Sequence, residues 1–139
     1  MFRAMFLSLL LVLTLPFAAT AQDNQRQRYL EGREQFDALV MQRRMGEALR
    51  VLTVPGTISD ADVAAVNQQI MGNYVEDFIA VDLVRSATLK GGFRQEMLGF
   101  WNDEGQYLYI YFLLHTRENE LNVLMVNFDS DFHKLYSLF

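Results

Sequence analysis

The chain contains no cysteine. That excludes disulfides, thiol nucleophiles, metal–thiolate sites and lipid attachment at an N-terminal cysteine. Only two histidines occur, His115 and His133. They lie far apart without His-x-x-x-His spacing, and Asp129-Ser130-Asp131 lacks the further oxygen ligands and the glycine of a calcium loop, so no metal site is assigned. Asp129 to Asp131 reads instead as a turn and a helix cap. Gly91-Gly92 lacks both the spacing of a phosphate loop and the Lys-Ser/Thr that follows one, and no G-x-S-x-G elbow occurs. Basic charge is short as well: 12 Lys and Arg stand against 17 Asp and Glu. An acidic domain repels phosphate backbones, so nucleic acid is not an expected partner.

What is present begins with a leader. Arg3 supplies a positive start, Met5 to Phe17 an apolar run, and Ala19-Thr20-Ala21 a small-residue cleavage site. The pattern is that of a cleaved signal peptide over residues 1–21, because the apolar run is too short for a comfortable membrane span. Removing 21 of the 139 residues leaves 118, with 11 basic and 17 acidic residues and a net charge of about −6. That length suits one domain, Gln22 to Phe139. The short leader looks bacterial, so the expected location is the periplasm or the outside, with no membrane anchor after cleavage. A core without disulfides must then hold the fold alone.

Asn24 to Met45 reads as a helix, with Tyr29, Phe36, Leu39, Val40 and Met41 at helical spacing. Gly46 is the expected break before a second helical run, which ends at Pro55-Gly56. Ser59 is the expected N-cap of the next helix, with Asp62 in the place of the capping-box acid. Val63, Val66, Ile70 and Met71 form its stripe, and Gly72-Asn73 its stop. Ile79 to Leu89 tilts to a strand on its β-branched content. In the tail, Ser130 is the expected cap of a short helix bearing Phe132, Leu135, Tyr136 and Phe139, with an extended strand as the alternative.

The organising stretch is Phe93 to Phe128. It holds three β-rich runs, FRQEMLGFW, QYLYIYFLLHT and LNVLMVNF, separated by the polar turns Asn102–Gly105 and Arg117–Glu120. Tyr107, Tyr109 and Tyr111 alternate with Leu108, Ile110 and Phe112, so both faces of this strand want cover. The expected fold class is α+β: two or three N-terminal helices packed on a four-stranded antiparallel curved sheet, bounded by three and five strands. Too few strands are available for an outer-membrane barrel.

Placing Trp101 opposite Gln106, and Thr116 opposite Leu121, sorts the faces. One carries Phe93, Met97, Trp101, Leu108, Ile110, Phe112, Leu114, Leu121, Val123 and Met125, and is the expected core face. The other carries Arg94, Glu96, Leu98, Phe100, Tyr107, Tyr109, Tyr111, Leu113, His115, Asn122, Leu124, Val126 and Phe128. An odd change in loop length inverts one strand against its neighbour. The polar groups on the second face make Arg94, Glu96, Tyr107, Tyr109, Tyr111 and His115 the candidate ligand-binding residues. No catalytic residue and no cofactor is assigned.

The order of elements resembles the cystatin-like α+β superfamily, in particular the nuclear-transport-factor-like cone. GEALRVL, SDADVAAVNQQI and LNVLMVNFDSDFHKL carry the resemblance, which spans nearly the whole mature chain. It implies a sheet curled around a pocket, in a superfamily of binding modules, dimerisation domains and a few enzymes; fold does not settle function. The expected function is an exported binding or interaction domain without catalysis. Its aromatic sheet face would take an apolar small molecule, a second copy of the chain or another protein. The alternatives are a pocket enzyme using Glu96 or Asp82 as base, and a secreted inhibitor acting through the two hairpin tips.

Overall fold

The computed structural model describes residues 17–117 and 120–139. Of the expected leader, residues 1–16 lie outside them, and 17–21 belong to the first helix. That helix, α1 (Phe17–Met41), is followed by α2 (Met45–Leu52) and α3 (Asp60–Asn73). A four-stranded antiparallel meander comes next, β1 (Ala80–Thr88), β2 (Phe93–Trp101), β3 (Tyr107–Arg117) and β4 (Glu120–Asp129), in spatial order β1-β2-β3-β4. A short helix, α4 (Phe132–Tyr136), closes the chain. The α+β class and the strand at Ile79–Leu89 are as the sequence predicts. The sheet is open, with β1 and β4 at its edges.

The first helix ends earlier than Gly46. Arg43 adopts a left-handed conformation (φ 60°). Its N–H donates to the Val40 carbonyl and that of Arg44 to the Leu39 carbonyl, the paired bonds of a Schellman cap. The Arg43 guanidinium holds the turn by donating to Asp77 and to the carbonyls of Tyr74 and Val75. Gly46 instead lies inside α2, where a Cβ would come 2.7 Å from the Val63 Cα on α3. It is there for close packing of two helices, not to break one. The α3 start is as predicted: Ser59 and Asp62 form a reciprocal capping box. Val63 and Ile70 are buried and Val66 packs at the core edge, while Met71 is half exposed.

Register is where sequence and structure part. Trp101 pairs with Tyr107, not with Gln106. The cause is the turn. Asn102 accepts from the Gln106 backbone N–H through its side-chain oxygen and donates to the Gln106 side chain. Its own backbone N–H reaches the Gln106 carbonyl. Gln106 is thereby drawn into the turn, so that five residues, Asn102 to Gln106, connect β2 to β3 in place of the expected four, and Gly105 takes the left-handed position (φ 74°) common in such hairpins. One added loop residue inverts β2. The β3–β4 pairing begins as predicted, with Thr116 opposite Leu121, but a bulge between Leu113 and Leu114 leaves Leu124 unpaired. Beyond it, Val126 and Phe128 join the face of Phe112 and Ile110, and Met125 moves to the other side.

Leu98, Phe100, Leu108, Ile110, Phe112 and Leu114 therefore share one face, buried against Phe36, Val40, Met45, Ala48, Ile70, Tyr74 and Phe78. The opposite face is covered locally by the chain's own tail, where Leu135 and Phe139 pack on Met97 and Tyr111. Asp131, not Ser130, caps α4 by accepting from the His133 N–H. Arg85 lies 4.5 Å from the ring centroids of both Tyr136 and Phe139, and Gln95 donates to the Leu138 carbonyl.

The hairpin chemistry predicts a measurable loss. Asn102 is only 2% exposed, and Asn102→Ala strips a buried loop of side-chain bonds, for a cost of about 1–3 kcal/mol. Gly105→Ala forces a Cβ into the left-handed region at a cost of about 1 kcal/mol. Urea denaturation checks both: midpoints fall in that order with the slope unchanged, whereas an unchanged midpoint for Asn102→Ala removes the turn as the source of register.

Candidate functional site

The inverted β2 divides the six predicted residues. Arg94 and Glu96 face α1 on the core side, opposite Leu114 and Phe112, while Tyr107, Tyr109, Tyr111 and His115 lie on the other face. No single cluster contains them all.

Beneath α1, Glu96 is almost fully buried, at 3% exposure. Its Oε2 accepts from the Tyr29 hydroxyl at 2.6 Å and from Arg33 at 3.0 Å, and its Oε1 meets Arg94 at 2.7 Å. Arg33 also donates to Asp37, one helical turn on, and its guanidinium lies 5.4 Å from the Phe112 ring centroid. Burial, reinforced by the Glu96 charge, pushes the Tyr29 phenol far above its ordinary value near 10. Burial also raises the Asp37 carboxyl, against the pull of Arg33. A shallow cleft of about 470 Å³ opens here between α1 and Leu83. Both carboxylate oxygens of Glu96 already hold donors, so what this network does is clamp α1 to β2. Asp82 is exposed and sits opposite Gly99, on the face away from Glu96.

On the tail side, Tyr111 is buried, edge-on to Phe139 and accepting from Gln95. His115 stacks on Phe93 at 4.1 Å, with its Nε2 3.1 Å from the Gly91 carbonyl. Both are occupied in packing. Tyr107 and Tyr109 differ. Their rings are nearly parallel, 6.0 Å apart, and Tyr107 is 47% exposed. They line a cleft of about 720 Å³ between the end of α3, the start of β3, the end of β4 and the α4 approach. That volume lies within the range of about 300–1,000 Å³ usual for small-ligand sites.

Beside Tyr107 and Tyr109, the cleft is built from residues that the sequence assigns to no binding role. Tyr74 caps the end of α3 and donates to the Tyr107 carbonyl, which fixes one wall. Burial foremost, then the Asp129 charge, raises its phenol to about 12. Burial raises the Tyr109 phenol too, helped by Tyr107. Phe132 stands against Tyr109 at 73° with centroids 5.4 Å apart. Asp129 accepts from the Asp131 N–H and from Lys134, and the former chiefly holds its carboxyl below the usual range. Gln69, Asn73 and Gln106 add amides. The available signal was the pairing of Tyr109 with Asp129 at the DSD turn, visible only once β4 is known to end beside the start of β3. Among the described residues, no group of three or more His, Asp or Glu is placed to hold a metal ion, and no helix is long and apolar enough to cross a membrane. No protein family, curated protein or solved structure matches the chain.

Two outcomes follow from the Glu96 clamp and its neighbours. Glu96→Gln leaves Arg33 and Arg94 facing a neutral group. The expected loss is about 3 kcal/mol, the low end for a broken buried pair because Arg94 is partly exposed. A urea midpoint equal to that of the unaltered protein contradicts the clamp. The phenols set an alkaline limit. Tyr29 and Tyr74 have folded pKa values above the unfolded value of 10. The folded chain thus holds these protons more tightly, and the stability they contribute is full below pH 10 and lost as pH rises beyond it. The Tyr29→Phe, Tyr74→Phe double variant should lose less stability between about pH 9 and pH 11, read as the change in urea midpoint over that interval.

Proposed function

We propose that the protein is an exported binding domain without catalysis, and that its ligand site is the cleft walled by Tyr74, Tyr107 and Tyr109. One observation carries the reading: an open concavity of about 720 Å³ in which three tyrosines and two phenylalanines meet a ring of amides and carboxylates. Few convergent polar groups on an aromatic frame are what small-ligand sites are made of. Export is supported by the Arg3, Met5–Phe17 and Ala19-Thr20-Ala21 pattern. The non-catalytic reading is supported at Glu96, whose two oxygens are both engaged by donors of the chain itself. The occupant is more polar than an apolar ligand on the open sheet face would be, because the tail already covers Tyr111.

Native mass spectrometry of the purified protein tests this. The expected spectrum is one chain carrying a small-molecule adduct, and Ser130→Trp, which crowds the mouth of the cleft, should abolish the adduct. An adduct that survives Ser130→Trp contradicts the site. So does a two-chain species with nothing bound. That outcome would turn attention to the open β1 edge, where Leu83 and Val84 are half exposed and an unpaired strand is available to a second copy.

A further inference from the structure

The walls of the cleft have a chemistry that selects among small ligands. Tyr107 and Tyr109 present near-parallel rings, and Phe132 turns a third ring at 73° to Tyr109. Ring faces are negative and ring edges positive, so rings meeting at an angle around an open space make a seat for a cation. Asp129 and Asp131 stand at the same rim. The Asp129 carboxylate is held by Lys134 and by the Asp131 N–H. Asp131 uses Oδ1 for the α4 cap, and its second oxygen is engaged in no described bond. Among the described residues that line the cleft, none is a lysine, arginine or histidine. An anion would meet two carboxylates, and the neighbouring Lys134 ammonium is already paired with Asp129. A neutral polyol would find hydrogen bonds but would make no use of the ring quadrupoles.

We infer that the cleft binds an organic ammonium ion, with the alkylated nitrogen against the faces of Tyr107, Tyr109 and Phe132 and its charge balanced by Asp131. This rests on the cleft being the ligand site. The raised phenol of Tyr74, which Asp129 helps to hold neutral, agrees with a negative field in the cleft. The full negative charge of the chain, −5, favours cation capture from a distance.

The test uses two probes of one shape. Choline carries a quaternary nitrogen; 3,3-dimethylbutan-1-ol replaces that nitrogen by carbon and is neutral. Each is titrated into the isotopically labelled protein at low salt, with binding followed by amide shifts. Choline is expected to shift residues of the Tyr107–Tyr109 and Asp129–Phe132 segments and to bind about tenfold more tightly than the alcohol. Asp131→Asn should weaken choline severalfold and leave the alcohol unchanged. Tyr109→Ala, for which fold retention is read from the unshifted remainder of the spectrum, should weaken choline about tenfold. Equal binding of the two probes in the cleft, or choline binding indifferent to Asp131→Asn, overturns the ammonium inference while leaving the cleft as a ligand site. Shifts confined to another surface, or no shifts with either probe, overturn both.

Discussion

A carboxylate buried under a helix sets the terms for the rest of the molecule. Glu96 sits on the sheet face that carries Leu98 and Phe100, within a core otherwise apolar. An unpaired charge there would be costly, so it must be met by donors brought from α1 and from its own strand. Tyr29, Arg33 and Arg94 do this. Tyr29 and Arg33 are one turn apart on α1, so meeting the charge also fixes where α1 lies along β2 and which of its sides faces inward. Phe36 and Val40 then fall on Phe112 and its neighbours. The polar clamp and the apolar packing select the same docking, which is how a chain without disulfides obtains one arrangement of helices on its sheet.

That arrangement depends in turn on one residue in a loop. Gln106, tied to Asn102 by side chain and main chain, belongs to the turn and not to β3. With it in the turn, Glu96 lies beneath α1 and the tyrosines of β3 lie on the far side. The two polar groups that would have shared a face are separated by the thickness of the sheet. One becomes a structural clamp. Of the other, Tyr107 and Tyr109 border an open cleft. The division of labour between the faces is thus a consequence of turn chemistry.

Much of the fold was legible because local signals were strong. Ser59 with Asp62, the β-branched run before Lys90-Gly91-Gly92, and the alternation of Tyr107 to Phe112 each define their element with little competition. The failures share a cause. Arg43 ends α1 through contacts with Tyr74, Val75 and Asp77, more than thirty residues away, while Gly46 drew attention as the local breaker. The Asn102–Gln106 bonds and the Leu124 bulge change register by one residue, and a hydrophobic pattern in which both faces are apolar gives no penalty for the wrong choice. Of the six predicted site residues, Tyr107 and Tyr109 border the cleft, because alternation alone put them on one face. Tyr74, Asp129, Asp131 and Phe132 could not be joined to them without the topology. A ligand site spread over α3, β3, β4 and the tail has no sequence motif to betray it.

The register of β2 against β3 is therefore the point on which clamp and cleft both stand, and it can be measured directly. Cross-strand α-proton and amide contacts in the nuclear magnetic resonance spectrum of the labelled protein report which residues oppose one another. The predicted set has Leu98 opposite Ile110, Phe100 opposite Leu108 and Glu96 opposite Phe112. Contacts that place Glu96 opposite Tyr111 would return the carboxylate to the tyrosine face, dissolve the clamp beneath α1 and contradict the separation of the two clusters.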